Sequence, residues 1–223
     1  MPLLLLILFL LLLYAPQMWA GYMLKRHARP RPHLEAGGTF ARRLLDAHGL
    51  GRVRVEPTDL GDHYDPGEKA VRLRPEHFSQ NSLTAVAVAA HEVGHALQDH
   101  TGYRPLQLRT HLVLLTRQME RIGALALALS PVALLLTRLP AAGLLFLLAG
   151  LGGLFAPVLV HAVTLPVEWD ASFRRALPLL APHLSRGEVR AARRILTACA
   201  LTYLAASLAS FLSLGGLMRA LRR

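Results

Sequence analysis

Apolar residues in this chain are gathered into long runs instead of being dispersed. Leu3 to Leu13, Ile122 to Leu136, Ala141 to Val163 and Leu196 to Met218 are nearly free of charge. A helix needs about 20 mostly apolar residues to cross a bilayer, and runs of this scale predict an integral membrane protein with four membrane helices. Leu139-Pro140 makes a tight break, so the two middle runs form a hairpin. Between the runs lie two polar stretches. In the first, Phe40 to His48 has helical spacing through Phe40, Leu44 and Leu45 and stops at Gly49. Val53-Arg54-Val55 and Val71-Arg72-Leu73 alternate, which predicts two short strands, with Asp59 to Lys69 as a turn region around Gly61, Pro66 and Gly67. Leu83 to Gln98 reads as a helix, capped by Asn81 or Ser82 and ended by Gly102. Pro166 suits the first turn of a further helix, which would put Glu168 and Asp170 near its start.

The expected fold is therefore mainly α, a four-helix membrane protein with a small α+β part at the membrane surface. Its divisions are a transmembrane anchor over 1–24, a polar part over 25–118, and a transmembrane hairpin over 119–164. A second polar segment covers 165–195, and a last transmembrane helix covers 196–218. The first run lacks a basic residue before it, and Met18-Trp19-Ala20 is a poor cleavage site, so it reads as a retained anchor.

Composition sharpens this picture. The chain has 223 residues, 53% of them hydrophobic, and a formal charge of +11. The basic residues flank the apolar runs, with Lys25, Arg26, Arg29 and Arg31 after the first and Arg219, Arg222 and Arg223 after the last. That placement fits membrane topology and anionic headgroups, and argues against nucleic acid as a partner. A hairpin returns the chain to the side it left, so both polar segments share one compartment. Both are basic, whereas the hairpin tip carries only Arg138, so the positive-inside rule puts them in the cytoplasm. Four crossings then place the N-terminus and the last arginines outside, in conflict with that rule. A final helix that stops short of crossing would remove the conflict. The single cysteine, Cys199, excludes an intrachain disulfide and reads as a small buried apolar residue.

Chemistry concentrates at His91-Glu92-Val93-Gly94-His95. On a helix, residues i and i+4 share a face, so both imidazoles can reach one metal ion. A neighbouring glutamate can then take a proton from an attacking water. This is the zinc-hydrolase arrangement of a metalloprotease. The pentapeptide is short enough to arise by chance, so its surroundings decide.

A catalytic zinc takes three protein ligands. The hairpin brings Leu165 to Ser172 back beside the first polar part, with Glu168 and Asp170 as acids. One would bind the metal and the other would orient a ligand. His63, Tyr64 and Tyr103 are candidates to stabilise the oxyanion, or else loop residues with structural hydrogen bonds. His161 reads as an interfacial or packed imidazole.

Two blocks in order, His91 to Gln98 and Thr164 to Ser172, resemble the neutral zinc metallopeptidases of the membrane-bound YugP type. Asp62 to Pro66, Val71 to Leu73 and Ala198 to Ala206 resemble further segments of that family. The resemblance covers nearly the whole chain. It implies a zincin-type, gluzincin-like peptidase with one Zn2+ per chain, residence in the cell (inner) membrane as a multi-pass protein, and Glu168 as third ligand. Many glutamate zincins carry an Asp four residues after that Glu. Here the position is Ser172, which leaves Asp170 as the nearest second partner. The expected activity is endopeptidase cleavage of peptides or membrane proteins, with Glu92 as general base and the site facing the cytoplasm. The alternative is a membrane scaffold or assembly factor that binds zinc without proteolysis. Substrate identity, regulation and oligomeric state are not written in the sequence.

Overall fold

The computed structural model describes residues 2–212, with side chains described over 14–201 except 117, 154–159 and 161–162. Arg219, Arg222, Arg223 and the side chain of His161 lie outside the described residues. The chain forms two compact units, one from residues 1–106 and 165–202, the other from 107–164 and 203–223.

The first unit is built around a helix that is buried on every side. Helix α1 (Pro2–Arg26) precedes α2 (Gly37–Ala47), then three strands, β1 (Arg54–Pro57), β2 (His63–Asp65) and β3 (Ala70–Leu73). A short α3 (Pro75–Ser79) leads into α4 (Leu83–His100). Of the two expected caps, Ser82 is the one whose hydroxyl accepts from the Ala85 amide. Every residue of α4 from Leu83 to Ala96 is buried. Phe40, Leu44 and Leu45 of α2 and Val71 and Leu73 of β3 share its core. A helix buried all round, its polar His91, Glu92 and His95 included, needs such a complete cover.

The sheet has the order β1-β3-β2, with β1 parallel and β2 antiparallel to β3. Strand β2 falls within the stretch expected to be only turn. Its three residues have no apolar alternation, and pairing with β3 makes them a strand. A turn follows, in which Asp65 Oδ1 accepts from the Gly67 and Glu68 amides at 2.9 and 3.0 Å.

Helix α5 (Arg104–Thr137) and helix α6 (Pro140–Trp169) are joined by two residues, and Arg138 adopts φ 53° there. This is the hairpin break expected at Leu139-Pro140. The two helices pack closely: a Cβ on Gly123 would lie 2.8 Å from Gly153 Cα, and one on Gly153 would lie 2.6 Å from Met119 O. Among the described residues, α5 is long and apolar enough to cross a membrane, while Pro140–Gly153 is apolar but shorter.

The helix expected to start at Pro166 does not start there. Helix α6 runs through Pro166 to Trp169 and continues into a π-helical segment, Asp170–Ala176, and then α7 (Leu177–Leu180). A proline removes one backbone hydrogen bond from a helix interior. Complete burial of Val167, Glu168, Ala171 and Ser172 against the first unit's core carries the chain past that loss. Helix α8 (Arg186–Leu212) joins the polar segment to the last apolar run as one helix. Ser185 and Glu188 form a reciprocal cap at its start: Glu188 Oε2 accepts from the Ser185 amide at 3.0 Å, and Ser185 Oγ from the Glu188 amide at 3.4 Å.

Candidate metal centre

His91 and His95 lie one turn apart on α4, with ring centroids 4.7 Å apart and nearly perpendicular planes. Facing them is Glu168, fully buried near the end of α6. Its Oε2 is 3.1 Å from His91 Nε2 and 3.4 Å from His95 Nε2. The three donor atoms all lie within 4.8 Å of one another. Burial opposes the charge on Glu168, but the two imidazoles outweigh it and hold the carboxyl far below the usual carboxylate range. Of the two acids left open by the sequence, Glu168 reaches the histidines.

Each ring is held from behind. Ser172 Oγ sits 3.1 Å from His91 Nδ1, and Gln98 Oε1 sits 2.9 Å from His95 Nδ1. Both Nε2 atoms are thereby turned to the shared point. Asp170 lies behind Gln98, accepting from its amide at 2.9 Å and from Arg175 Nε at 2.8 Å. Ser172, the departure from the glutamate-zincin pattern, thus occupies the position that supports His91, while Asp170 reaches His95 only through Gln98. Gln98 was legible in principle, because it stands three residues after His95 on the same helix face. The contact of Ser172 depends on the wide π-helical turn, which no local pattern announces.

That turn also explains Gly94. A Cβ there would lie 2.7 Å from Ala171 O, so only glycine lets α4 approach the segment carrying Glu168. Glu92 is buried beside the histidines, 4% exposed.

The three oxyanion candidates have partners elsewhere. His63 Nδ1 faces Gly61 O at 2.8 Å. Tyr64 donates to Asp99 Oδ2 at 2.6 Å, and burial together with that carboxylate pushes its phenol above the ordinary value. The Tyr103 ring lies 5.7 Å from the Arg175 guanidinium.

The residues present fit zinc. Two imidazole nitrogens and a carboxylate are donors zinc accepts, in the number a catalytic site uses. His91 Nε2 and Glu168 Oε2 are both buried and face each other at 3.1 Å, an enclosed cluster of polar atoms of the kind that coordinates a metal.

Comparison with known proteins agrees. No solved structure matches the chain. A protein of Bacillus subtilis (strain 168) named "Putative membrane protease YugP" is 36% identical over 204 residues, covering 88% of this chain and 87% of its own. A family model described as "Putative neutral zinc metallopeptidase" matches residues 2–222. With that match spanning almost its whole length, the chain belongs to this zinc metallopeptidase family.

Proposed function

We propose that this protein is a membrane-embedded zinc endopeptidase in which His91, His95 and Glu168 hold the metal and Glu92 is the general base. The observation that carries the reading is the convergence of two Nε2 atoms and Oε2 from two distant segments on one buried point. Zinc bound there supplies Lewis acidity, which polarises the scissile carbonyl and acidifies water. Glu92 takes the proton of the attacking water and passes it to the leaving amine, which departs neutral as the peptide bond breaks. Ser172 and Gln98 keep the histidine rings in place during this exchange.

Substrates are peptides or membrane proteins bound in extended form. Strand β2 pairs with β3 on one side, which leaves its other edge as a template for an extended chain. The polar segments and the site face the cytoplasm, with α1, the α5–α6 hairpin and the last apolar run crossing the membrane. Exposed Leu125, Leu129, Leu135 and Leu136 on α5 and Leu144, Leu145 and Leu148 on α6 support lipid contact.

The test compares purified wild type with Glu92→Gln for bound zinc and for cleavage of casein and of a panel of membrane proteins. Both should hold zinc, and only wild type should cleave. If both hold zinc and neither cleaves any substrate, the protein is a zinc-bearing scaffold instead.

A further inference from the structure

Gln98 is completely buried on α4, where an apolar side chain would fill the space without an amide to satisfy. All of its polar capacity is directed at the candidate metal centre. Its Nε2 donates to Val167 O at 2.8 Å and to Asp170 Oδ2 at 2.9 Å. Both partners only accept, so the amide has a single workable orientation: reversed, its oxygen would face two oxygens. Oε1 is therefore the atom left for His95 Nδ1, at 2.9 Å. An oxygen that only accepts requires a proton on that ring nitrogen, which leaves the lone pair on Nε2.

We infer that Gln98 is a positioning residue for His95, fixing the ring with its proton on Nδ1 and tying it to the segment that carries Glu168. The inference rests on the zinc reading above. Val167 and Asp170 flank Glu168 in sequence, so one amide connects the second imidazole to both sides of the third ligand. Asp170 is itself held by Arg175 Nε at 2.8 Å, and Arg175 reaches Thr101 Oγ1 at 3.2 Å. The relay runs Arg175, Asp170, Gln98, His95, and it sets both the ring's proton and its distance from Glu168. Supporting partners of this kind typically contribute about 10–100-fold in metal affinity.

The experiment uses the full chain in lipid nanodiscs, with zinc affinity measured by chelator competition and thermal stability measured on the metal-free protein. Gln98→Met keeps the volume and removes every side-chain hydrogen bond. Gln98→Glu keeps an acceptor for His95 but turns its second oxygen toward Val167 O and Asp170. A positioning role predicts that Gln98→Met binds zinc about 10–100-fold more weakly than wild type. Gln98→Glu, which keeps the acceptor but loses the tie to Val167 and Asp170, should lose less than about tenfold although its metal-free form melts lowest. The two readouts then rank the variants in opposite orders, which a purely structural role cannot do. Zinc affinity that is unchanged in Gln98→Met, or lost in Gln98→Glu, overturns the inference. If Gln98→Met does not fold, the affinity of Gln98→Glu decides alone. Wild type that holds no zinc overturns the metal reading itself, and this one with it.

Discussion

A histidine binds metal through whichever ring nitrogen its surroundings leave bare. At His91 and His95 the surroundings are Ser172 and Gln98, each on Nδ1, and the bare atoms meet at Glu168 Oε2. The pair His91 and His95 was legible in the sequence because helical periodicity alone places i and i+4 together. From the residues alone Glu168 was legible as one of two acids, since its separation from Asp170 turns on side-chain direction across a tertiary contact; the family resemblance is what singled it out. Glu92 is the residue whose role can be isolated. Gln in its place keeps the shape but cannot take a proton, and general-base catalysis contributes about 10²–10⁴-fold. Glu92→Gln should lower kcat by that order with zinc content unchanged, as read by steady-state proteolysis beside elemental analysis.

At the scale of elements, the centre is a contact of α4 with the end of α6 and the π-helical turn that follows it. Alanine normally favours a helix over glycine by about 1 kcal/mol. At Gly94 the backbone oxygen of Ala171 blocks the new Cβ, and forced overpacking costs about 1–3 kcal/mol. The clash wins, so Gly94→Ala should lower the melting temperature and weaken zinc binding, as thermal melts and chelator competition would read. The start of α8 gives a pH prediction. Burial alone would raise the Glu188 carboxyl, but Ser185, His33 and Arg31 bring it down to about 2. A carboxyl depressed on folding adds stability that is complete above its unfolded value of about 4.3 and is lost as pH falls through about 2. Glu188→Ala should therefore cost about 1 kcal/mol near neutrality, and melts taken at falling pH should converge with wild type toward pH 2. Two elements were hidden from sequence reasoning for the same reason. Strand β2 exists through β3, and the π-helical turn exists through α4; neither has a local periodicity. Pro166 misled for the converse reason, since its local preference for a helix start is overridden by the packing of Val167 and Ala171.

For the whole molecule, the apolar runs were the plainest signal in the chain. Membrane residence is in keeping with the name of the Bacillus relative and with an α5 long and apolar enough to span a bilayer. The number of crossings depends on charge rules that conflict at the C-terminus, where Arg219, Arg222 and Arg223 follow the last run. Four crossings predict that a reporter fused after Arg223 is active outside the cytoplasm. A cytoplasmic reporter would leave the last run on the inner side, with the metal centre's compartment unchanged.

Zinc chemistry in this protein requires His91, His95 and Glu168 to hold one metal together. Elemental analysis of the purified full chain beside Glu168→Ala addresses that directly. Wild type should carry about one zinc per chain, the number a single three-ligand site holds, and the variant little or none at equal protein and equal fold. Wild type without zinc, or a variant that keeps its full zinc content, would contradict it.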